Sequence, residues 1–512
     1  MNNDTPRNII LIVTDQQRYD TLGHTGMSGC KTPNLDRLAS EGMHFENAYS
    51  VCSLCSPARA SILTGVYPHT HGLRTNTNSP NLWPARDIVP SVSLISQKLA
   101  EAGYRCGYSG KWHCGEERLP SYYGFEGMDV AGYGKPYDTP EYDAYLENTG
   151  LNLPHPFLKK SSKMVTPEDV PPEIQTVPGV KWAGGTLPGP PEACEPAFVV
   201  SHASDLIRRF AAERETDGTP FFQVVSFWGP HHPPYIPEPY ASMYSPEDVT
   251  LWPNFHDELG GKPAAHDRHR RSFYHEHVEF SEDDWKALIA KYWGYCSFID
   301  AEIGRLLHML EQTGLADETA IIFTTDHGDI TGSHGGLFDK GAFMYQETYH
   351  IPMIARAAGV DASRNRCDAL VSNMDVASTI LDLAGVAVPE HHQGRSFLPL
   401  LRDPDAEWRE DLMSEFFGLR VNYTQRMLRW RNYKYVYNAA DWDELYDLDS
   451  DPYEMANRIN DPALADIAIE CRKRLLRNIQ ESKDVIVGTA WQHLNFAYDG
   501  ATSPCVPPAG ST

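Results

Sequence analysis

The 512-residue sequence predicts an α/β fold: a large, mostly parallel sheet flanked by helices, followed by a smaller C-terminal α+β domain carrying an antiparallel sheet. Three observations predict it. Five short apolar runs, rich in β-branched or aromatic residues, read as strands buried on both faces. Helical patterns lie between them, and strands alternating with helices favour a parallel sheet. After about residue 395 the texture changes to tyrosine-rich alternating segments. The expected division is a large domain over 1–395, an α+β subdomain over 396–483 and an arm over 484–512.

The elements follow in order. NIILIVTD (8–15) is the first strand. TPNLDRLASEG (32–42) is a helix with Pro33 near its start and Gly42 at its end. SPARASILTG is another, with Pro57 in the first turn, where its missing N–H costs nothing, and Gly65 at the close. YRCGYSGK (104–111), FFQVVSFWG (221–229), TAIIFTTD (319–326) and IPMIARA (351–357) are further strands. Residues 115–200, rich in Pro, Gly and Tyr, read as long loops over one rim of the sheet, where binding sites are usually built. The 254–284 stretch contains HDRHRRSFYHEH, whose spacings suit neither a zinc motif nor one helix face. It reads as a solvated loop. Residues 285–314 carry apolar side chains at 288, 289, 292, 296, 299, 303, 306, 307 and 310, a long core helix closing at Gly314. RMLRWRNYKYVYN and DELYDL read as antiparallel strands, with a helix over 462–482 packed on them. The irregular 484–512 arm suits contact between subunits of a homo-oligomer.

Lys+Arg 44 against Asp+Glu 69 gives a net charge of −25. That argues against general binding to nucleic acid or an anionic membrane. An anionic substrate stays open, because a local basic pocket outweighs distant charge screened within about 8 Å. No segment approaches the roughly 20 apolar residues of a membrane span. The first apolar run reaches Asp15 after five residues, a strand rather than a secretory segment. Ten scattered cysteines read as reduced thiols. A cytoplasmic location is the expectation; a cleaved signal upstream would make it periplasmic or secreted.

Four predicted strands end in chemistry: Asp15-Gln16, Lys111-Trp112-His113, His231-His232 and Asp326-His327. In open α/β sheets the ligand crevice lies at the carboxyl ends of strands. Asp15, Gln16, Asp326 and His327 form a candidate metal site. Carboxylate and amide oxygens suit Ca²⁺ or Mg²⁺, and an imidazole nitrogen shifts the balance toward Mn²⁺ or Zn²⁺. The plainer alternative is that the two aspartates cap helices. Cys55 sits at the positive end of the 55–65 helix, where a thiolate or oxyanion is stabilised, and Arg59 lies one turn on. Cys52 and Cys55 also form a CxxC, without a second pair for a zinc site or a thioredoxin-like context.

Cys55-Ser56-Pro57-Ala58-Arg59, continuing to Leu63-Thr64-Gly65, resembles the type I sulfatase motif C-x-P-x-R with a downstream T-G. TDQQ, TPNLDRLASEG, GKWH, HPPY, FTTDHGD, Lys340 and DELYDLDSDPYE fall in that family's order, so the likeness covers most of the chain. It is nearest the arylsulfatase, choline-sulfatase and phosphonate monoester hydrolase branch of the alkaline phosphatase superfamily. The resemblance implies an alkaline-phosphatase-like architecture and hydrolysis of a small-molecule or carbohydrate sulfate monoester. It implies that a maturation enzyme oxidises Cys55 to formylglycine. It implies a divalent cation, Ca²⁺ first, held by Asp15, Gln16, Asp326, His327 and the group made from Cys55. Arg59, Lys111 and Lys340 are implied to line the anion pocket. His232, helped by Lys340, is the implied general acid, with His231 its competing neighbour, and His113 the base for sulfate release. Ala58 stands where serine is usual, and Gln16 and His327 replace the commoner Asp and Asn. Two rival readings share these residues: a phosphonate monoester or phosphodiester hydrolase, and a non-catalytic sulfate-ester-binding relative in which Cys55 stays a thiol.

Overall fold

The computed structural model describes residues 8–79, 85–160, 170–172, 174–176, 184–271, 280–357, 360, 362–419, 422–439 and 441–486. An eight-stranded sheet runs in the order Arg366–Ser372, Met43–Tyr49, Met353–Arg356, Thr319–Thr325, Asn8–Thr14, Phe221–Ser226, Arg105–Gly110, Glu126–Gly127. Every neighbouring pair is parallel except those made by Met353–Arg356, which runs against both its neighbours. The Asn8–Thr14 strand lies at the centre with all seven residues buried. Its side chains alternate between two cores: Ile9, Leu11 and Val13 enter one, Ile10 and Ile12 the other. That two-faced burial explains the unbroken apolar run that marks it in the sequence.

The parallel pairing has a direct consequence for function. Asn8–Thr14 aligns with Thr319–Thr325 on one side and Phe221–Ser226 on the other, and the latter aligns with Arg105–Gly110. All four therefore end at the same edge, and Asp15, Asp326, the 227–232 segment and Lys111 leave the sheet side by side.

A second sheet of four antiparallel strands, Asp411–Phe416, Gln425–Trp430, Tyr433–Asn438 and Glu444–Asp447, is covered by the helix Ala465–Glu481. It shares a core with Tyr49, Val51, Cys52 and Leu54. The Glu415 N–H donates to Val51 O at 2.7 Å. The C-terminal sheet thus braces the segment that delivers Cys55. A small sheet of Gln175–Thr176, Gly185–Leu187 and Tyr235–Pro237 lies apart from both.

Several elements differ from expectation. Met43–Tyr49 and Arg366–Ser372 are strands that the apolar-run criterion passes over, because MHFENAY and RCDALVS interleave polar residues. The loop region 115–200 contains the helix Pro140–Thr149 and the start of a 23-residue helix, Glu195–Asp217. HDRHRRSFYHEH is not wholly a solvated loop. Its first residues lie in the helix Ala264–Arg270, where His266 is buried and Nδ1 meets the Tyr345 hydroxyl at 2.8 Å; residues 272–279 lie outside the described residues. Of the 484–512 arm, residues 487–512 lie outside them too. No helix among the described residues is long and apolar enough to cross a membrane.

Candidate active site

Cys55 is the first residue of the helix Cys55–Thr64, all ten of whose residues are buried. Leu54 is extended ahead of it, and Gly65 closes the helix in the left-handed region, its N–H donating to Ser61 O at 2.9 Å. The helix is packed on every side, so the pattern that announces it is its punctuation rather than an amphipathic stripe. Cys55 is held with its Sγ at the end of the central strand, 3.8 Å from Asp15 Oδ1 and 3.4 Å from His327 Nε2. Arg59, four residues on, lies on the same face.

Arg59 ties the site together. Its Nε donates to Asp326 Oδ2 at 2.8 Å, Nη2 to Asp15 Oδ2 at 2.9 Å and Nη1 to Ser226 Oγ at 2.6 Å. Lys111 Nζ donates to the same Asp15 oxygen at 2.7 Å. Asp15 is therefore squeezed between two cations. Burial pushes its carboxyl up, but Lys111, Arg59, His231 and Lys340 outweigh that and hold it well below the ordinary carboxylate range. Asp326 goes the other way: burial and the charge of Asp15 push it up to about 6, against His327 and Arg59. Burial would also raise the Cys55 thiol, as does Asp15, yet Lys111, Lys340 and His327 bring it well below its ordinary value. Cys52, three residues away among apolar side chains, is pushed up by the same burial without that compensation. The two cysteines of the CxxC thus have opposite chemistry, and neither is in a disulfide.

Asp15, Cys55, Asp326 and His327 bring one ligand atom each within 4.8 Å of one another, all four residues buried. His327 Nδ1 donates to Gly328 O at 2.8 Å, which fixes the ring with Nε2 facing Cys55 and Asp326; burial would lower its pKa, but the Asp326 charge outweighs burial and raises it. Two carboxylates and an imidazole nitrogen, oriented from behind, fit a divalent cation, which would take the place of the Nε2 proton. Gln16, expected among the ligands, has its amide engaged elsewhere. Its Nε2 donates to Asp329 and, at 2.8 Å, to Asp339 Oδ1, while its Oε1 accepts from Lys340. Only its backbone N–H, which donates to Asp326 Oδ1 at 3.0 Å, reaches the cluster. Gln16 and His113 also sit at positive φ, 64° and 53°, a conformation costing a non-glycine residue about 1–3 kcal/mol and concentrated at functional sites.

The remaining predicted residues surround this centre. His113 is buried with no hydrogen-bond partner on either ring nitrogen, and burial pushes its pKa down to about 4. Lys340 Nζ meets Gln16 and lies 3.1 Å from His231 Nε2. The two adjacent histidines, His232 expected as the acid and His231 its competitor, part company. The His232 ring stacks on Tyr292 and packs against Phe338, and its Nε2 lies 3.4 Å from Asp329 Oδ2. His231 instead faces Lys340 and the Asp15 charge. The HPPY spacing carries no information on which side chain turns inward.

Sequence reasoning missed Tyr133 and Ser226. The Tyr133 ring lies over Lys111 Nζ at 3.9 Å and packs edge-on to both His113 and His231, roofing the site. Nothing in its aperiodic, glycine-flanked surroundings singles it out. Ser226 could have been found: it is the last residue of a buried strand that ends at the site edge, and it joins Arg59 to Lys111 O, to which it donates at 2.7 Å.

Residues 7–386 match the model of the Sulfatase family, and residues 332–481 that of the N-sulphoglucosamine sulphohydrolase C-terminal region. An ulvan-active sulfatase of Formosa agariphila is 28% identical, covering 98% of this chain and 87% of its own length. An N-acetylglucosamine-6-O-sulfatase of Bacteroides thetaiotaomicron is 27% identical over 88% of this chain and 82% of its own. Among solved structures, the phosphonate monoester hydrolase SpPMH of Silicibacter pomeroyi superposes with a TM-score of 0.75 at 25% identity, covering 93% of this chain and 96% of that one.

Proposed function

The chain belongs to the sulfatase family and is a sulfuric ester hydrolase, and from that premise we propose that it cleaves a carbohydrate or other small-molecule sulfate monoester with a nucleophile made from Cys55. The observation that carries the reading is the setting of Cys55: a helix N-terminus facing two carboxylates, an imidazole nitrogen and three buried cationic side chains. Oxidation of Cys55 to formylglycine by a maturation enzyme would supply an aldehyde, and addition of water to it a geminal diol, one hydroxyl of which attacks sulfur. Asp15, Asp326 and His327 would hold a divalent cation beside it, which when bound supplies positive charge that lowers that hydroxyl's pKa. Ca²⁺ suits the carboxylates, and His327 leaves room for Mn²⁺ or Zn²⁺.

The chain's own residues do the rest. A sulfate monoester is an anion that repels nucleophiles, so Lys111, Lys340 and Arg59 offset its charge and that developing in the transition state. Arg59 and Lys111 also keep Asp15 ionised. His231, beside Lys340, protonates the leaving alkoxide; this role passes to it from His232 on the geometry of the two rings. His113, neutral near pH 7 because burial holds its pKa at about 4, is free to accept the proton released when sulfate is expelled. Tyr133 closes the roof over Lys111 and both histidines and keeps water from them.

The likeness to a phosphonate monoester hydrolase favours one rival, in which the same nucleophile attacks phosphorus. Assays of kcat/KM on sulfate, phosphonate and phosphate esters, including sulfated sugars and choline sulfate, separate the two. A sulfate ester preferred by tenfold or more supports the sulfatase reading, and a phosphonate ester preferred overturns it. The mass of the peptide bearing Cys55, from protein matured in its own host, tests the nucleophile; an intact thiol there would favour a binding protein.

A further inference from the structure

The buried carboxyl of Glu195 has no part in the chemistry above, yet it sits behind the segment that carries His231. Glu195 is 1% exposed and begins the helix Glu195–Asp217. Its Oε1 accepts the Trp228 N–H at 3.0 Å, and its Oε2 accepts the Tyr295 hydroxyl at 3.1 Å. Its own N–H donates to the Tyr137 hydroxyl oxygen at 3.0 Å. Trp228 in turn donates from its indole to Tyr133 O at 2.9 Å. One carboxyl thus ties the strand exit at 228, the long helix Glu282–Gln312 through Tyr295, and, through Trp228, the loop that presents the Tyr133 roof. Gly229, next along, leaves no slack: its O accepts the Asp15 N–H at 3.0 Å, and a Cβ on it would come within 2.3 Å of the Tyr295 ring. His231 follows two residues later.

We propose that Glu195 is a positioning residue, whose carboxylate clamps the 228–231 segment so that His231 and Tyr133 stay aligned on the leaving group, and whose protonation releases that clamp. The inference rests on the sulfatase reading for its catalytic consequence only. Two of the three partners within reach of the two oxygens, the Trp228 and Gly229 N–H groups, can only donate, and the Tyr295 hydroxyl donates to the carboxylate. A carboxylate satisfies all of them. A carboxylic acid either sets its O–H against an N–H and loses that bond, or turns Tyr295 from donor to acceptor; both ways the charge that strengthens the N–H bonds is gone. The groups facing it from each packed element are Lys111 at the strand end, Tyr133 and Tyr137 in the loop, Tyr295 on the long helix and Cys194 beside it; of these Lys111 alone is cationic. Burial pushes the Glu195 pKa up to about 7, against the two N–H donors, Tyr295 and Lys111, so the release falls where an enzyme works. The sign follows from linkage. A carboxyl whose folded pKa lies above its unfolded value costs stability as pH rises from the unfolded value to about 7. A carboxylate held at such a cost is consistent with a positional role.

The test is Glu195→Gln, which keeps the shape and one acceptor but cannot ionise. Above pH 7 the variant should melt no lower than the parent. Its kcat on an alkyl or sugar sulfate should fall about 10–100-fold with KM changed less than threefold, and the acid limb of the parent's kcat profile, with a midpoint near 7, should vanish. Hydrogen exchange of the 227–235 amides supplies a readout that needs no turnover. In the parent it should quicken as pH falls from 8 to 6, after correction for intrinsic exchange; in the variant it should be fast and independent of pH. Unchanged exchange and an unchanged acid limb overturn the proposal. A pH-dependent exchange in a protein that hydrolyses no sulfate ester would keep the clamp and sink the sulfatase reading. Should Glu195→Gln not fold, Tyr295→Phe removes one of the two bonds and should give the same changes at smaller size; its failure to do so is equally decisive.

Discussion

Of three clusters with the composition of a metal site among the described residues, two are wholly buried, and only one of those two is built as one. Asp15, Cys55, Asp326 and His327 gather at the carboxyl edge of the large sheet, and His69, Glu415 and Asp484 gather where the C-terminal sheet meets the large domain. In the second, every ligand atom is spoken for. His69 Nδ1 lies 2.5 Å from Glu415 Oε1 and its Nε2 is 2.9 Å from Ser482 O. Arg426 holds both oxygens of Asp484, at 2.5 and 2.9 Å. In the first, Asp326 Oδ1 accepts two backbone N–H groups, but Asp15 Oδ1, His327 Nε2 and Cys55 Sγ have chiefly one another, and the cationic side chains grip the other oxygens of the two carboxylates. Proximity of ligands is common to both; open lone pairs distinguish the site from the strut.

The sharpest way to break that contrast is at Cys55. Cys55→Ala should lower kcat on the order of 10⁴-fold or more with the melting temperature nearly unchanged, as loss of a covalent nucleophile does. Glu415→Gln, in the other cluster, should leave kcat within about tenfold and lower stability instead. Parent-like turnover by Cys55→Ala would move the nucleophile elsewhere. Metal analysis sharpens the same comparison. Asp326→Asn should lose the bound cation and with it most activity, whereas Glu415→Gln should keep a full complement; a cation lost only from the latter would exchange the two assignments.

The next effect concerns the two histidines. His231→Ala should cost about 10²–10⁴-fold on alkyl or sugar sulfates, whose leaving groups need a proton, and far less on nitrophenyl sulfate. His232→Ala should show no dependence on the leaving group. The reverse pattern would restore His232 as the acid.

This choice between neighbours marks where legibility ended. The strands that place the site were readable because a central parallel strand, buried on both faces, writes an unbroken apolar run, and because each ends in a polar pair. Cys55 and Arg59 were readable from helix punctuation and from a motif whose spacing is one turn. Met43–Tyr49 was not, since its buried polar His44 breaks the run. Which ring of His231-His232 faces inward depends on packing against Tyr292 and Phe338, contacts some 60 and 100 residues away that no local pattern encodes. Glu195 and Tyr133 act through partners equally remote, Tyr295 and His231 among them.

Stability tests the strut directly. Arg426 is fully buried, with Asp484 and Glu415 as its acidic partners. Arg426→Met removes one side of a buried ion pair and leaves two carboxylates with His69 as their cationic partner, a loss of about 3–5 kcal/mol. Denaturant unfolding should show it as a lower midpoint with an unchanged slope. The activity per folded molecule should stay near that of the parent. A loss below 1 kcal/mol would mean that the cluster contributes little and that the resemblance to a metal site needs another explanation.

The smallest expected effect is in the pH dependence of that same cluster, and its sign can be worked out. Burial alone would lower the His69 pKa, but Glu415, in contact at 2.5 Å, and Asp484 raise it above the ordinary value. A base whose folded pKa lies above its unfolded one contributes stability fully present below about 6.5, and lost as pH rises through the folded value. Asp484 behaves oppositely: Arg426 and His69 overcome burial to lower its pKa, so its contribution is present above the ordinary carboxylate value and lost as pH falls through the folded one. The two windows do not overlap. Buried neutral histidines such as His113 and His350, each held near 4 by burial, bend the total curve downward on the acid side. The measurement is therefore a difference: unfolding free energy of the parent minus that of His69→Gln, from pH 5 to pH 9. That difference should shrink as pH rises past 6.5. A difference that grows with pH would mean that His69 is neutral in the folded protein, which would make Glu415 and Asp484 partners of Arg426 alone and reopen the cluster to an incoming cation.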